Sequence, residues 1–149
     1  MIKKIFILFI FSLASCGYQP LYSKKNSDSF IFKNINSNGN KKINRSIIST
    51  MSFKEDNEIY SYEKLSITSE KNILVTSKDT KGKPASFKMI LKVNLEIEDK
   101  KDNLRQKLFS KEFTYENIDN KFDLSEYEID LEKDLINQIV EEIIIYLNL

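Results

Sequence analysis

Residues 86–98, SFKMILKVNLEIE, set the architecture that the sequence predicts, because apolar and polar side chains alternate along the whole stretch. The apolar side comprises Phe87, Met89, Leu91, Val93, Leu95 and Ile97, and the other side is polar apart from Ile90. A period of two residues is typical of a strand. A strand with one buried and one open face belongs in an antiparallel sheet.

Two loops flank this strand and predict neighbours on both sides. Segments 78–84 and 99–103 are rich in turn-forming residues, so each is interpreted as a hairpin connection. The preceding strand has Leu65, Ile67, Ile73 and Val75 on one parity, around a polar, turn-like segment at 69–72. The following strand runs through Leu108, Phe109, Phe113 and Tyr115.

One strand and two amphipathic helices complete the pattern. Phe30, Phe32 and Ile35 predict a first strand. The first helix has Ile43, Ile47, Ile48 and Met51 on one face and Lys41, Asn44, Arg45 and Ser49 on the other. Ser125 and Glu128 have the spacing of a capping box, which would open a terminal helix. Its apolar row is Leu131, Leu135, Ile139 and Ile143, with Glu132, Lys133, Asn137, Glu141 and Glu142 facing away.

The predicted fold class is α+β, in two layers. A mostly antiparallel sheet of about four strands would carry two helices packed on one face, in the order β-α-β-β-β-α. Residues 30–149 would form this single domain, residues 16–29 a lipidated tether and residues 1–15 a signal peptide. The apolar row of the terminal helix is expected to be core, and a partner-binding helix face is the alternative.

The N-terminal segment has the three parts of a bacterial lipoprotein signal. Lys3 and Lys4 precede an apolar run that is shorter than the roughly 20 residues needed to span a membrane. The residues at 13–16, Leu-Ala-Ser-Cys, resemble a lipobox, which predicts cleavage before Cys16 and a lipid anchor, such as palmitate, on that residue. Gly17 after it favours the outer membrane, facing the periplasm. An ordinary secreted protein, or a short membrane anchor with an incidental cysteine, is the alternative.

The composition argues against an enzyme. The chain has no histidine, and Cys16 is its single cysteine. The usual general base, the usual nucleophile pairs and the Cys and His metal ligands are therefore missing, and we expect no cofactor and no metal. The 23 basic and 22 acidic residues nearly balance, so the overall charge does not suggest nucleic-acid binding.

The segment at 16–22, Cys-Gly-Tyr-Gln-Pro-Leu-Tyr, is similar to the opening Cys-Gly-(Phe/Tyr)-(Gln/Arg)-Pro-Leu-Tyr of the LptE family of lipopolysaccharide-assembly lipoproteins, in its alphaproteobacterial form. The predicted order of elements also agrees with that family. The resemblance implies a plug-like partner of LptD, the outer-membrane β-barrel that delivers lipopolysaccharide to the cell surface. It implies no catalysed reaction, and it allows direct contact with lipopolysaccharide in transit.

Two groups of residues are candidate contacts. Tyr18, Pro20 and Tyr22 would contact the membrane or the barrel, or would instead cover the domain's own surface. Four basic residues on neighbouring strands would bind lipopolysaccharide phosphates, namely Lys88, Lys92, Arg105 and Lys107. The alternative is a solvated sheet face, on which these residues pair with Glu96 or Glu112.

The sequence is compatible with two functions from different classes. One is a subunit of a transport machine that forms a complex with an LptD-like barrel. The other is a self-contained periplasmic lipoprotein that binds lipid or envelope material without a barrel partner. A stable complex with a large barrel protein would separate the first from the second.

Overall fold

The structure, a computed structural model, describes residues 30–147 and has the predicted α+β class. Five strands form one sheet in the order β2-β1-β3-β4-β5, one strand more than expected. The elements in chain order are β1 (Ile31–Gly39), α1 (Lys41–Thr50), β2 (Lys54–Glu55), β3 (Tyr62–Lys78), β4 (Pro84–Glu98), β5 (Leu104–Glu116) and α2 (Lys121–Leu147).

The additional strand is β2, which is two residues long. Lys54 N–H donates to the Phe30 carbonyl (3.2 Å), and Asp56 N–H donates to the Phe32 carbonyl (2.9 Å). Both pairings of β1, with β2 and with β3, are parallel, whereas β3, β4 and β5 pair antiparallel. The sheet is therefore mixed at one edge and antiparallel over most of its area.

Strand β4 is paired along nearly its whole length on both sides. Its pairing with β3 runs from Lys64↔Glu98 to Lys78↔Pro84, and its pairing with β5 runs from Ser86↔Glu116 to Glu98↔Leu104. The predicted alternation of β4 is confirmed, because its apolar side from Met89 to Ile97 is almost fully buried. The two helices cover this face of the sheet.

The turn expected at residues 69–72 is wrong, since β3 continues through it without a break. Every residue there pairs with one on β4, from Ser69↔Val93 to Asn72↔Ile90. Pairing with a neighbouring strand supplies the backbone hydrogen bonds that a local turn would otherwise make, so tertiary context outweighs composition. Strand β3 therefore extends about 50 Å, at roughly 3.3 Å per residue.

Helix α1 begins where β1 ends, through a close approach of Gly39 to Ser69. Gly39 has φ +80°, and a Cβ there would lie 2.0 Å from the Ser69 carbonyl oxygen. The next residue, Asn40, caps the helix, because its side-chain oxygen accepts hydrogen bonds from the N–H groups of Lys42 (3.1 Å) and Ile43 (3.2 Å). The predicted apolar face packs against the core.

One residue assigned to the solvent face of α1 is in fact buried. Asn44 is 1% exposed, and its side-chain N–H donates to the Asn38 carbonyl at 2.6 Å. A short polar side chain is tolerated here because it bonds the backbone at the end of β1.

The predicted capping box at Ser125 and Glu128 is wrong, because helix α2 already begins at Lys121, four residues before Ser125. The Asn120 side chain accepts from Phe122 N–H at 3.0 Å, so Asn120 takes the capping role. Ser125 lies inside the helix, and Glu128 accepts a hydrogen bond from the Tyr115 hydroxyl at 2.6 Å. The predicted apolar row is confirmed as core, and it comprises Leu131, Leu135, Ile139 and Ile143.

The two faces of β4 should differ in their sensitivity to substitution. Leu91 is fully buried and Lys92 is exposed. We expect Leu91→Ala to lower the free energy of unfolding by about 2–5 kcal/mol, because it removes buried methyl groups and leaves a cavity. Lys92→Ala, the matched control, should change it by about 0.5 kcal/mol or less. Urea unfolding of residues 30–149 measures both, and equal losses would contradict the assigned faces.

Candidate partner-binding surfaces

The face of the sheet opposite the helices is mainly polar. Cross-strand partners share a face, so the even-numbered residues of β4 lie on this open face with their partners on β3 and β5. Side-chain hydrogen bonds link the strands here. The Gln106 amide donates to Asn94 and Glu96, both at 3.1 Å. Such a surface suits a polar, hydrated environment.

The structure does not bring the four candidate basic residues together. Lys88 and Lys92 lie on the open face, as expected from the sequence. Arg105 pairs opposite Ile97 and Lys107 opposite Leu95, so both lie on the side of the helices. Which face the β5 residues occupy depends on the register of the hairpin after β4, and a slip of one residue would have exchanged the faces.

The contacts of these residues differ between the two faces. Lys88 Nζ lies 3.0 Å from Glu112 Oε1, so the pairing that the sequence offered as an alternative does form. Lys107 Nζ lies 5.1 Å from the ring centroids of both Phe109 and Tyr146. The Arg105 guanidinium lies 6.0 Å from the Tyr62 ring centroid. Arg105 and Lys107 thus border the aromatic rim of the core.

Seven of the eleven large apolar side chains that are exposed in the described residues lie toward one end of the sheet, and Ile59, Leu104, Leu108 and Ile145 lie elsewhere. We define the distal end as the end with the β3–β4 turn at 79–83, because the chain enters β1 at the opposite end. Phe122, near the start of α2, is 67% exposed and is the most exposed apolar side chain of the distal end. The other large apolar side chains exposed in the distal half of the described domain are Ile73, Leu74, Val75, Phe113, Tyr127 and Ile129. We call these seven residues the distal patch. They surround this end of the sheet, since Leu74 lies on the open face whereas Ile73, Val75 and Phe113 lie on the side of the helices.

An open cavity of about 650 Å³ lies at the same end, between β4 and the start of α2. Phe87 and Leu124 contribute apolar walls, and Lys83, Lys121 and Glu128 contribute charge. The Tyr115 hydroxyl bonds Glu128, and burial together with this hydrogen bond raises the pKa of Tyr115. Tyr115 therefore stays neutral and donates to the carboxylate over the physiological pH range.

A buried carboxylate joins three elements of the domain. Glu132 on α2 is 4% exposed, although the sequence assigned it to the solvent face. Lys71 Nζ on β3 donates to its Oε2 at 2.6 Å, and Lys42 Nζ on α1 lies 2.8 Å from its Oε1. Burial raises the pKa of Glu132, but the hydrogen bonds and charges of the two lysines outweigh it, so the pKa lies below its ordinary value. This triad ties α2 to α1 and to β3.

Four predicted site residues lie outside the described residues. Cys16, Tyr18, Pro20 and Tyr22 precede residue 30, so their roles stay predictions. Within residues 30–147, no cluster of three or more Cys, His, Asp or Glu side chains could hold a metal ion. No helix in that part of the chain has the length and apolarity to cross a membrane.

The fold is similar to those of three solved lipoproteins. The crystal structure of rare lipoprotein B from Shewanella oneidensis aligns with TM-score 0.59 and 11% identity, covering 79% of this chain and 96% of that one. The solution structure of an uncharacterized lipoprotein B from Nitrosomonas europaea aligns with TM-score 0.54 and 16% identity, over 77% and 79% of the two chains. A minor lipoprotein from Acinetobacter baumannii aligns with TM-score 0.50 and 12% identity, over 76% and 85%.

These likenesses establish a shared fold. No protein-family model matches the sequence, and no curated protein matches it. The resemblance at residues 16–22 lies outside the described residues, whereas the structural similarity concerns the folded domain alone.

The Glu132 triad should make stability depend on pH. The folded-state pKa is below the ordinary 4.5, so the contribution of the carboxylate is present above the unfolded pKa and is lost as pH falls through the folded value. We expect Glu132→Gln to lower the free energy of unfolding at pH 7 by roughly 1.5–3 kcal/mol. The variant should also lose less stability than the wild type on acidification.

The control is Glu142→Gln, which removes a more exposed partner of Lys111 on the same helix. Its effect should stay within about 1 kcal/mol, as for surface ion pairs. Urea unfolding at a series of pH values measures both variants. If the free energy of unfolding depends on pH in the same way for Glu132→Gln and the wild type, the lowered pKa of Glu132 is contradicted.

Proposed function

We propose that this chain is an outer-membrane lipoprotein of the LptE type, which forms a plug-like complex with an LptD-like β-barrel for lipopolysaccharide assembly. The observation that carries the proposal is the joint occurrence of a lipobox with its following Gly-Tyr-Gln-Pro-Leu-Tyr segment and a domain with the fold of lipoprotein B structures. Cys16 would carry the lipid anchor. The domain would face the periplasm and contact the barrel.

The shape of the sheet supports this proposal. The chain leaves its anchor at the end where Phe30 enters β1, and the β3–β4 turn lies about 50 Å away along β3. The apolar band of an outer-membrane barrel is about 25 Å tall, so a hairpin of this length can extend well into a lumen. The interior of such a barrel is polar, and so is the open face of the sheet.

The distal patch supports a partner at that end. Phe122 and its exposed neighbours lie far from the point where the anchor joins the domain. A protein contact there would remove apolar surface from water, which is the main driving force of association. The tether would then hold one end of the domain at the membrane while the other end meets the barrel.

One observation favours the second candidate function, a self-contained lipid- or envelope-binding lipoprotein. The distal cavity of about 650 Å³ combines apolar walls with two lysines, Lys83 and Lys121, and two carboxylates, Asp119 and Glu128. This volume is within the usual range of ligand pockets. Catalysis is not proposed for either candidate, because the chain contains no histidine and its one cysteine would carry lipid.

Co-purification separates the two candidates. The full-length chain with a C-terminal tag is extracted from outer membrane in detergent, and the complex is analysed by size and composition. We expect a large β-barrel protein in near-equal amount. Phe122→Asp should reduce its recovery several-fold, because it places a charge in the distal patch.

Leu104→Asp is the matched control, since Leu104 is 61% exposed at the start of β5, away from the distal end. It should leave recovery of the barrel unchanged. A wild-type chain that purifies as a lone monomer would overturn the barrel proposal and favour the self-contained lipoprotein.

The proposal also includes direct binding of lipopolysaccharide. Of the four candidate basic residues, only Lys88 and Lys92 lie on the open face, so the proposed site consists of these two. These two lysines share the open face, where point charges can meet phosphate groups. We expect the double variant Lys88→Gln, Lys92→Gln to bind purified lipopolysaccharide several-fold more weakly than the wild type while keeping its thermal stability.

The matched control is the double variant Arg105→Gln, Lys107→Gln, which removes the same charge from the other face. Binding should then remain near the wild-type value. Unchanged binding by the first pair, or equal losses by both pairs, would contradict a site on the open face.

A further inference from the structure

Part of strand β3 has a neighbour on one side only. The pairing of β1 with β3 ends at Gly39↔Ser69, whereas β3 continues to Lys78. From Glu70 onward β3 pairs only with β4, and a register shift follows Val75. We call residues 70–75 the free edge of β3.

The backbone groups that point away from β4 along this edge can be assigned. Asn40 N–H donates to the Ser69 carbonyl at 3.0 Å, so the main-chain groups of Ser69 point toward β1. Because these groups alternate between the two sides of a strand, those of Lys71, Ile73 and Val75 point the same way. The Asn117 N–H to Ala85 carbonyl bond (2.8 Å) agrees, since it requires the odd-numbered residues of β4 to point toward β5.

Three N–H and three carbonyl groups therefore line the free edge with no strand beside them in the described part of the chain. An added strand would pair with all six, as β1 already pairs with the first half of the same edge. The alternating spacing of the outward groups matches that of an extended backbone.

The side chains on the free edge also fit an added strand. Ile73, Leu74 and Val75 are 39%, 52% and 47% exposed, on both faces of the strand. At the other sheet edge, the polar residues Gln106, Ser110, Glu112 and Thr114 surround Leu108, which is 60% exposed, and no two exposed apolar side chains follow one another there. The β3 edge differs because three exposed apolar residues stand in succession at 73–75.

We propose that the free edge of β3 binds an extended segment of about six residues from the barrel protein, as an additional strand of the sheet. The segment would carry apolar side chains at alternate positions, to pack against Ile73 and Val75. This inference rests on the proposed function, and it identifies how the partner is held.

A second copy of this chain is the other candidate occupant of the edge. Antiparallel pairing of two free edges about Ile73 or Leu74 brings the outward groups of odd-numbered residues face to face. Such a dimer would place the two ends at which β1 begins roughly 80 Å apart on opposite sides, because about 12 residues of β3 separate Tyr62 from the centre in each copy. A segment of the barrel protein leaves the single anchored end of the domain at the membrane, and the dimer is an outcome that the experiments below distinguish.

A proline substitution tests the inference in the full-length protein. Ile73→Pro removes an outward N–H and leaves the bonds between β3 and β4 intact, because residue 73 does not donate to β4. We expect recovery of the barrel protein to fall several-fold, with the thermal unfolding of the domain unchanged. Ser110→Pro is the matched control, since residue 110 has its N–H on the outer edge of β5 and is exposed. It should not affect recovery.

Amide hydrogen exchange of the wild-type complex provides a second readout, which does not depend on the folding of a variant. The amides of Lys71, Ile73 and Val75 should exchange about tenfold more slowly in the complex than in the free protein. Those of Asn72 and Leu74 are protected in both states by β4. Unchanged exchange at the three outward amides, or equal effects of the two prolines, would overturn the inference.

Failure of this inference is distinguishable from failure of the proposed function. If the barrel protein is recovered equally with the wild type and with Ile73→Pro, the proposed complex stands and the addition of a strand is rejected. Absence of the barrel from the wild-type preparation would reject both. A homodimer that Ile73→Pro dissociates would assign the edge to a second copy and also reject the inference.

Discussion

Strand β4 constrains every other part of this domain, because both of its edges are paired and one of its faces is buried. A strand in that position has no freedom to slip, since a shift of one residue would move all its apolar side chains into water. Its register fixes β3 and β5 over the same length. The helices then cover the only apolar face that this arrangement leaves.

The helices are held in place by polar contacts as well as by the core. Glu132 ties α2 to α1 through Lys42 and to β3 through Lys71. Close to it, β1 ends at Gly39, and β3 continues with β4 as its only neighbour in the described sheet. The domain is therefore closed and cross-linked around its middle and open at its distal end. The distal patch, the cavity and the free edge of β3 all lie at that open end.

The features that could be predicted from the sequence are those that depend on local periodicity. The alternation of β4 and the apolar rows of both helices identified the class and most of the core. The errors came from long-range contacts. Glu132 and Asn44 looked solvent-facing because the partners that bury them lie on other elements, and Asn72 looked like part of a turn because the pairing with β4 is not visible locally.

The candidate site was harder to predict than the core. The grouping of Arg105 with Lys88 depended on a hairpin register that composition does not reveal, and the structure separates them onto two faces. The free edge of β3 has no sequence signal, because it exists only where β1 stops short of its neighbour. Ile73 and Val75, which share the parity of Leu65 and Ile67, looked like ordinary core positions.

The central proposal is an anchored domain whose far end enters a barrel protein. A cryo-EM structure of the full-length chain, extracted from the membrane together with the proteins that co-purify with it, tests this most directly. We expect the β3–β4 turn inside a barrel lumen, with a strand of the barrel protein beside Lys71, Ile73 and Val75. A barrel that contacts only the anchored end, or a domain that is found alone, would contradict it.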